Sequence, residues 1–476
     1  MAAHTPNLER FGYRQELRRS LGLGDLLVYG LIFMVPIAPF GIFGSVYQAS
    51  GGMVALAYCI GMVAMVFTAL SYAQMVKAFP MAGSVYNYAG RGIAAPVGFL
   101  AGWAILLDYV LVPGLLALIA AVGMASTLPA VPVWAWIVLF VVVNTGLNLL
   151  GIRLTAVITR AFLVAELIVL AIFLAIGVAA LLAGRGQGFS WDPLFNADTF
   201  STSLVFGAVS VAVLSFLGFD GISMLAEENK GGAPQIGRAM IAALGLAGVL
   251  FIAQTWVASL LVPNPGTLLA DGDPAGTAFY DAARVAAGPW LATLTAVATA
   301  LAWGIANSMV AQVATSRLLF AMARDRQLPR LLAKVSIRRA VPANAVLLVA
   351  ALSLGLGLYM ASREDGISLL ASLINFGAML AFICLHASVV WHYLVRERSG
   401  NLLSHLLLPV AGAAILIFVV INANILAQRV GLTWVGIGVL VLLVLTVTGH
   451  RPRLSGLGQP AGREPEAMVG AGHHAQ

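Results

Sequence analysis

Twelve stretches of this chain, at 26–47, 53–77, 95–124, 133–150, 157–183, 203–226, 238–261, 289–323, 342–361, 367–394, 405–427 and 432–449, are apolar almost throughout. Nearly all reach or approach the roughly 20 residues a helix needs to cross a bilayer. Hydrocarbon offers a backbone no partner, so such segments must satisfy their own hydrogen bonds as helices. The sequence therefore predicts an all-α integral membrane protein of about 12 transmembrane helices. Composition agrees: 61% of the 476 residues are hydrophobic and 9% charged, with a mean hydropathy of +0.95. A soluble domain would carry about 25% charged residues.

Two of these runs are interrupted in mid-membrane. The first contains Pro36-Ile37-Ala38-Pro39-Phe40-Gly41, and the sixth contains Phe216-Leu217-Gly218-Phe219-Asp220-Gly221. Proline removes a backbone donor and clashes with the preceding turn, so carbonyls and amides lose their partners. Irregular backbone at this depth is tolerated where it is buried in protein or lines a cavity. Broken helices in matching positions point to a binding site between two inverted repeats. The expected arrangement is two five-span repeats of opposite topology, with broken helices 1 and 6 and the last two spans appended. The alternative is ordinary kinking, since proline and glycine are frequent in membrane helices.

Basic residues set the expected orientation, because cytoplasmic connections carry the excess of Lys and Arg. Arg10, Arg14, Arg18 and Arg19 lie in the N-terminal tail, and the even-numbered connections hold Lys77, Arg91, Arg153, Lys230 and the run from Arg324 to Arg339. The opposite side receives Arg185, Arg284, Arg363 and Arg429. Both termini are expected in the cytoplasm, with a tail at 1–24, a transport domain at 25–450 and a disordered tail at 451–476. No small-residue cleavage site follows the first run, so the first span is expected to stay in the mature protein. The positive charge then reports topology and contact with lipid headgroups, not nucleic-acid binding. Cys59 and Cys384 form no spaced framework, the histidines make no metal-spaced pair within a span, and no phosphate-cradling Gly-x-x-x-x-Gly-Lys occurs. These features argue against a disulfide scaffold, a metal centre, ATP-driven transport and an embedded enzyme, and no cofactor is expected.

Several stretches together resemble the amino acid, polyamine and organocation superfamily of secondary transporters. They are Phe79-Pro80-Met81-Ala82-Gly83-Ser84-Val85-Tyr86-Asn87-Tyr88, Gly218-Phe219-Asp220, and Ser316-Arg317-Leu318-Leu319-Phe320-Ala321-Met322-Ala323-Arg324-Asp325 with Leu328-Pro329 and Pro342-Ala343-Asn344. The resemblance runs from Leu21 to His450 and implies the leucine-transporter-like fold. Leu106-Leu107-Asp108-Tyr109 with Pro113, Ser215 to Asp220, and Leu373 to Ala378 look most like bacterial putrescine importers. One departure stands out. Amino acid carriers of the group usually place a Gly-Ser-Gly-Ile type element in the first break to receive a carboxylate, and this chain has Ala38-Pro39-Phe40-Gly41. Putrescine importers carry an acid near the position of Gly41, which is also absent here.

Acids inside a membrane cost about 2.5 to 3.5 kcal/mol each on insertion scales and mark ion or substrate paths. Asp108, Glu166 and Asp220 are the three expected within spans. The resemblance implies that Asp220 lies beside the substrate and acts as a proton-sensitive gate, and the alternative is that it caps the next half-helix. Proton-coupled relatives place a lysine near Glu166, so this carboxyl is a candidate for taking and releasing a proton, or else a bonded core group. Asp108, beside Tyr109, reads as a structural or pathway residue. Expected substrate contacts are Pro36, Ile37, Ala38, Pro39, Phe40, Gly41, Ser215, Phe216, Gly218, Phe219, Asp220, Trp303 and Asn307. Of these, Phe40, Phe216, Phe219 and Trp303 can offer ring faces to a cation. His386 reads as a satisfied core histidine.

The expected function is secondary active import of a small amine-bearing solute, a polyamine such as putrescine or an amino acid, by proton symport and alternating access across a prokaryotic plasma membrane. An exchanger or uniporter without proton coupling is the rival within transport. A nutrient receptor that binds at the same breaks but moves nothing is the rival outside it.

Overall fold

A computed structural model describes residue 19 and residues 21–448, apart from 82–83, 151, 227, 325–327, 337–340 and 364. The expected tail at 451–476, nearly all of the tail at 1–24, and Glu227 lie outside the described residues, and the side chains of 152–159, 321 and 324 are likewise not described. Among the described residues, twelve helices are long and apolar enough to cross a membrane, at Leu23–Gly41, Val54–Ala78, Ala95–Thr127, Val133–Leu150, Arg160–Leu182, Thr202–Leu225, Ala233–Leu260, Pro289–Phe320, Ala343–Ala361, Gly366–Arg396, Leu403–Ile421 and Ile425–Val447, called spans 1 to 12 here. They correspond one for one to the twelve apolar runs. Among the described residues there is no strand, only one isolated bridge. There Leu21 N–H donates to the Glu228 carbonyl at 3.0 Å and Lys230 N–H donates to the Leu21 carbonyl at 3.0 Å, tying the entry of span 1 to the end of span 6.

Both expected breaks are real, and each has a local cause. The helix Leu23–Met34 stops at Val35, whose φ of 57° is rare for a β-branched residue, and a 3₁₀ turn at Ala38–Gly41 leads into a second helix, Phe43–Ala49. Pro36 has no N–H for the Ile32 carbonyl, and Ala38 N–H donates instead to Val35 at 2.8 Å. In span 6 the helix Thr202–Ala212 tightens to 3₁₀ at Val213–Phe216, Leu217 is extended, and Phe219–Leu225 resumes as 3₁₀. Gly218 turns the chain at φ 109°, and a Cβ there would stand 2.8 Å from the Phe33 ring. Only glycine meets both demands.

The spans pack in a few dominant pairings. Span 2 lies along span 7, and span 1 packs on span 7 and on the second half of span 6. Span 3 packs on spans 4, 8, 9 and 10, and span 12, mostly exposed, rests on spans 3 and 10. Reciprocal bonds hold that last contact: the Trp103 and Trp434 indoles each donate to the other's carbonyl at 2.8 Å. On the face away from Leu21, the helix Ala278–Ala287 in the connection between spans 7 and 8 covers the second half of span 1. Its Phe279 stacks on Phe40 with ring centroids 3.8 Å apart, and Phe43 and Phe173 close the same cluster.

Candidate functional site

The two breaks meet in the interior, where they share a cavity with spans 3 and 8. Its walls include Phe33, Met34 and Ala38 from span 1, Asp108, Tyr109 and Val112 from span 3, Leu214, Leu217, Gly218 and Asp220 from span 6, and Trp303, Asn307, Ala311 and Thr315 from span 8. The cavity is small, about 40 Å³, which is room for roughly three waters. Among the described residues, no lysine, arginine or histidine stands in the wall.

Two carboxylates face this space in different states of satisfaction. Tyr109 donates its hydroxyl to Asp220 Oδ2 at 2.8 Å, and the amides of Gly218, Asp220 and Gly221 face the same carboxylate. Thr315, from span 8, donates its hydroxyl to the Tyr109 carbonyl at 2.6 Å and braces that turn of span 3. Asp108 is 5% exposed and has no hydrogen-bond partner among the described residues. On the span 8 side, the Trp303 indole N–H and the Asn307 Oδ1 are buried without a protein partner. The cavity thus offers unpaired acceptors from Asp108 and Asn307 and one unpaired donor from Trp303.

Seven of the residues singled out in the sequence come together here: Ala38, Asp108, Tyr109, Gly218, Asp220, Trp303 and Asn307. The others stand behind the walls. Pro36 turns its carbonyl to Gln254 on span 7, whose Nε2 donates at 2.9 Å. Ile37 is wholly buried, Pro39 accepts from Ile42 N–H within its 3₁₀ turn, and Gly41 lies where a Cβ would be 3.1 Å from Ile119 and 3.6 Å from Trp303. The Ser215 hydroxyl pairs with the Tyr58 hydroxyl at 3.0 Å.

The aromatic set divides. Phe40 belongs to the cluster with Phe279, Phe216 packs on Tyr58 and Phe251, and Phe219 packs on Tyr72 and Phe382. Trp303 is the one of the four in the cavity wall. Packing partners on neighbouring spans, which a linear sequence does not display, decide this.

Glu166 is 4% exposed in span 5 with its Oε2 unpartnered, but it is not in the cavity wall. His386 is a bonded core residue, its Nδ1 2.8 Å from the Ser71 hydroxyl and its Nε2 3.3 Å from that of Thr68. Among the described residues, no group of three or more His, Cys, Asp or Glu side chains is arranged to hold a metal ion.

Sequence reasoning missed Gln254, Thr315 and Asn144. Gln254 had a signal, a lone amide inside the apolar run 238–261, and Asn144 had one too, since it and Asn148 stand one turn apart as the two amides of an otherwise apolar span. Thr315 had another: Trp303, Asn307, Ala311 and Thr315 recur every four residues and all line the cavity. Asn144 donates to the Gly304 carbonyl at 2.6 Å, behind the wall.

Residues 26–448 match the amino acid permease family model. Over 464 residues the chain is 31% identical to the low-affinity putrescine importer PlaP of Escherichia coli, covering 94% of this chain and 97% of that protein. It is 25% identical to the branched-chain amino acid permease BcaP of Bacillus subtilis, across 90% of this chain and 93% of the relative. A methylthioribose transporter of Bacillus subtilis is 24% identical across 88% and 90% of the two chains.

Proposed function

The chain belongs to the amino acid permease family, and from that premise we propose that it imports a small amine-bearing solute, a polyamine such as putrescine or else an amino acid, by proton symport and alternating access. The observation that carries the reading is the cavity between the two broken spans, which holds two carboxylates and, among the described residues, no cationic side chain. An ammonium group entering it finds acceptors that the protein leaves unused. Carboxylates buried in a low-dielectric site favour a cation far more than they would in water.

In this reading Asp108 receives the ammonium and the Asn307 carbonyl oxygen helps to hold it, with the Trp303 ring against the ligand's carbon chain or charge. Asp220, held by Tyr109, is the proton-sensitive acid that couples the two broken spans. Glu166 serves as a second proton site, supported by its buried, unpartnered oxygen. A free α-carboxylate would lie against Asp108 and Asp220, and like charges at short range in such a site repel. Putrescine, which has no carboxylate, is therefore the favoured solute, in keeping with the named activity of the 31% identical relative.

Transport proceeds as spans 1, 2, 6 and 7 rock against the remainder, opening the cavity first to one face and then to the other. With its small volume and the cover of Phe279 on Phe40, the conformation described is a closed one. The basic residues at the ends of the spans support both termini being cytoplasmic, which makes the face covered by Ala278–Ala287 the external one.

Uptake of radiolabelled putrescine into proteoliposomes under an imposed inward proton gradient tests the reading. Accumulation that collapses with the gradient and survives an excess of unlabelled amino acids is the expected result. Putrescine that binds without entering the lumen would mark a receptor. Accumulation unaffected by the gradient would mark a uniporter or exchanger.

A further inference from the structure

Span 8 does not run through the site as a regular α-helix. Between Pro289–Leu301 and Ser308–Arg324 it opens into a π-helical segment at Ala302–Asn307. This wide turn has a consequence for the cavity. In a regular α-helix, residues four apart precess by about 40° per step, so a stripe of such residues walks off one face within a few turns. A π-turn holds an extra residue and reverses that drift locally. Trp303, Asn307, Ala311 and Thr315 accordingly all remain in one wall.

A π-turn is less favourable than the α-turn it replaces, and its surroundings must sustain it. Span 4 supplies that support. Asn144, 2% exposed, donates its side-chain amide to the Gly304 carbonyl in the middle of the wide turn, at 2.6 Å. One helical turn earlier on the same span, Phe140 packs against Gly304 so closely that a Cβ there would stand 2.8 Å from the ring, and 2.7 Å from Ala120 of span 3. The bond and the close packing converge on the residue immediately after Trp303. Asn144 itself is not in the cavity wall.

We infer that Asn144 is a positioning residue for the substrate cavity: through the Gly304 carbonyl it holds the wide turn of span 8 that aims Trp303 and Asn307 inward. The inference rests on the reading of this cavity as the substrate site. It makes span 4 a determinant of substrate preference without touching the substrate. Asn148, one turn further along, provides a comparison, since it bonds the Met309 carbonyl at 3.2 Å and Gln312 at 2.7 Å, beyond the wide turn.

The test uses full-length protein in proteoliposomes, with uptake of radiolabelled putrescine and, in parallel, of leucine. Asn144→Ala, Asn307→Ala and the double variant are compared with Asn148→Ala. Asn144→Asp, which keeps the size but replaces the donating amide, is read in the same way should the alanine variant fail to elute as a single species. Asn144→Ala is expected to raise KM for the accumulated solute by about tenfold, the worth of one buried hydrogen bond. It should also shrink the effect of Asn307→Ala to less than about twofold, because the two act through one turn. Asn148→Ala should leave the ratio of putrescine to leucine uptake unchanged.

An unchanged KM in Asn144→Ala, or effects of the two variants that simply multiply, would overturn the inference. If Asn307→Ala and Trp303→Ala both leave KM where it was, the cavity is not the substrate site, and it is the underlying reading that falls. Should wild-type protein accumulate leucine and not putrescine, the same comparisons are read on leucine.

Discussion

Two buried carboxylates in one cavity wall would be hard to rank from sequence, but their surroundings separate them. Asp220 is engaged by the Tyr109 hydroxyl and by local amides, whereas Asp108 has no partner among the described residues. Asp108→Asn is therefore expected to raise KM for putrescine by about 10- to 100-fold, the worth of a charge-assisted hydrogen bond. Tyr109→Phe should leave that KM nearly intact and change the pH profile of uptake, because on the proposed division of roles it releases the proton-coupling acid and not the substrate's. Uptake kinetics of the two variants across pH distinguish these effects, and equal KM shifts from both would contradict the division of roles. The sequence displayed Asp108, Tyr109 and Asp220 as membrane-embedded polar residues, but not that Tyr109 reaches across to span 6 and leaves its neighbour unpaired. Gly218 was legible as a break former. The Phe33 ring that excludes any side chain there was not. With φ at 109° and that ring in place, Gly218→Ala is expected to lower the thermal stability of the purified protein by about 1–3 kcal/mol. Full stability in that variant would show that the break does not hold its shape.

At the scale of elements, a broken membrane helix persists only if something outside it answers the freed backbone groups. For span 1 that partner is Gln254, wholly buried and bonded to the Pro36 carbonyl. Gln254→Leu removes the donor and leaves a buried carbonyl unpaired, a loss of about 1–3 kcal/mol measurable as a lower melting temperature in detergent. Proline positions announced the break in the sequence; the residue that stabilises it lies 218 positions away and announced itself only as an amide in an apolar run. The covering helix Ala278–Ala287 is held by Asp273, which accepts from the amides of Thr277 and Ala278 at 2.9 and 3.1 Å and lies against Gly44. Burial pushes the Asp273 carboxyl up from its ordinary value of 3.8, against the lowering effect of those amides. A carboxyl whose folded pKa is raised contributes stability at pH below the unfolded value and loses it as pH rises through the folded one. Asp273→Asn imitates the protonated form. Melting temperatures of wild type and variant should thus converge below about pH 4 and diverge above it, with wild type the lower. Wild type gaining on the variant as pH rises would reverse the sign and refute the account.

On the scale of the whole molecule, most of the architecture was legible: all twelve spans, both breaks and the family all follow from hydropathy, proline placement and local motifs. These are the properties a bilayer imposes directly on a sequence, since span length and backbone satisfaction allow few solutions. What stayed hidden was which side chains share a space, because that depends on how spans far apart in sequence turn toward one another. Phe40, Phe216 and Phe219 had the chemistry for a cation site, but their rings are packed elsewhere. On the proposed reading, a carboxylate-lined cavity this small must open to load its substrate. The most direct test is putrescine uptake by sealed proteoliposomes under an inward proton gradient, run with wild type and Asp108→Asn side by side. The account predicts gradient-dependent accumulation by wild type that amino acids do not displace, and little accumulation at the same concentration by the variant. Equal uptake by both proteins, or an amino acid accumulated in place of putrescine, would contradict it.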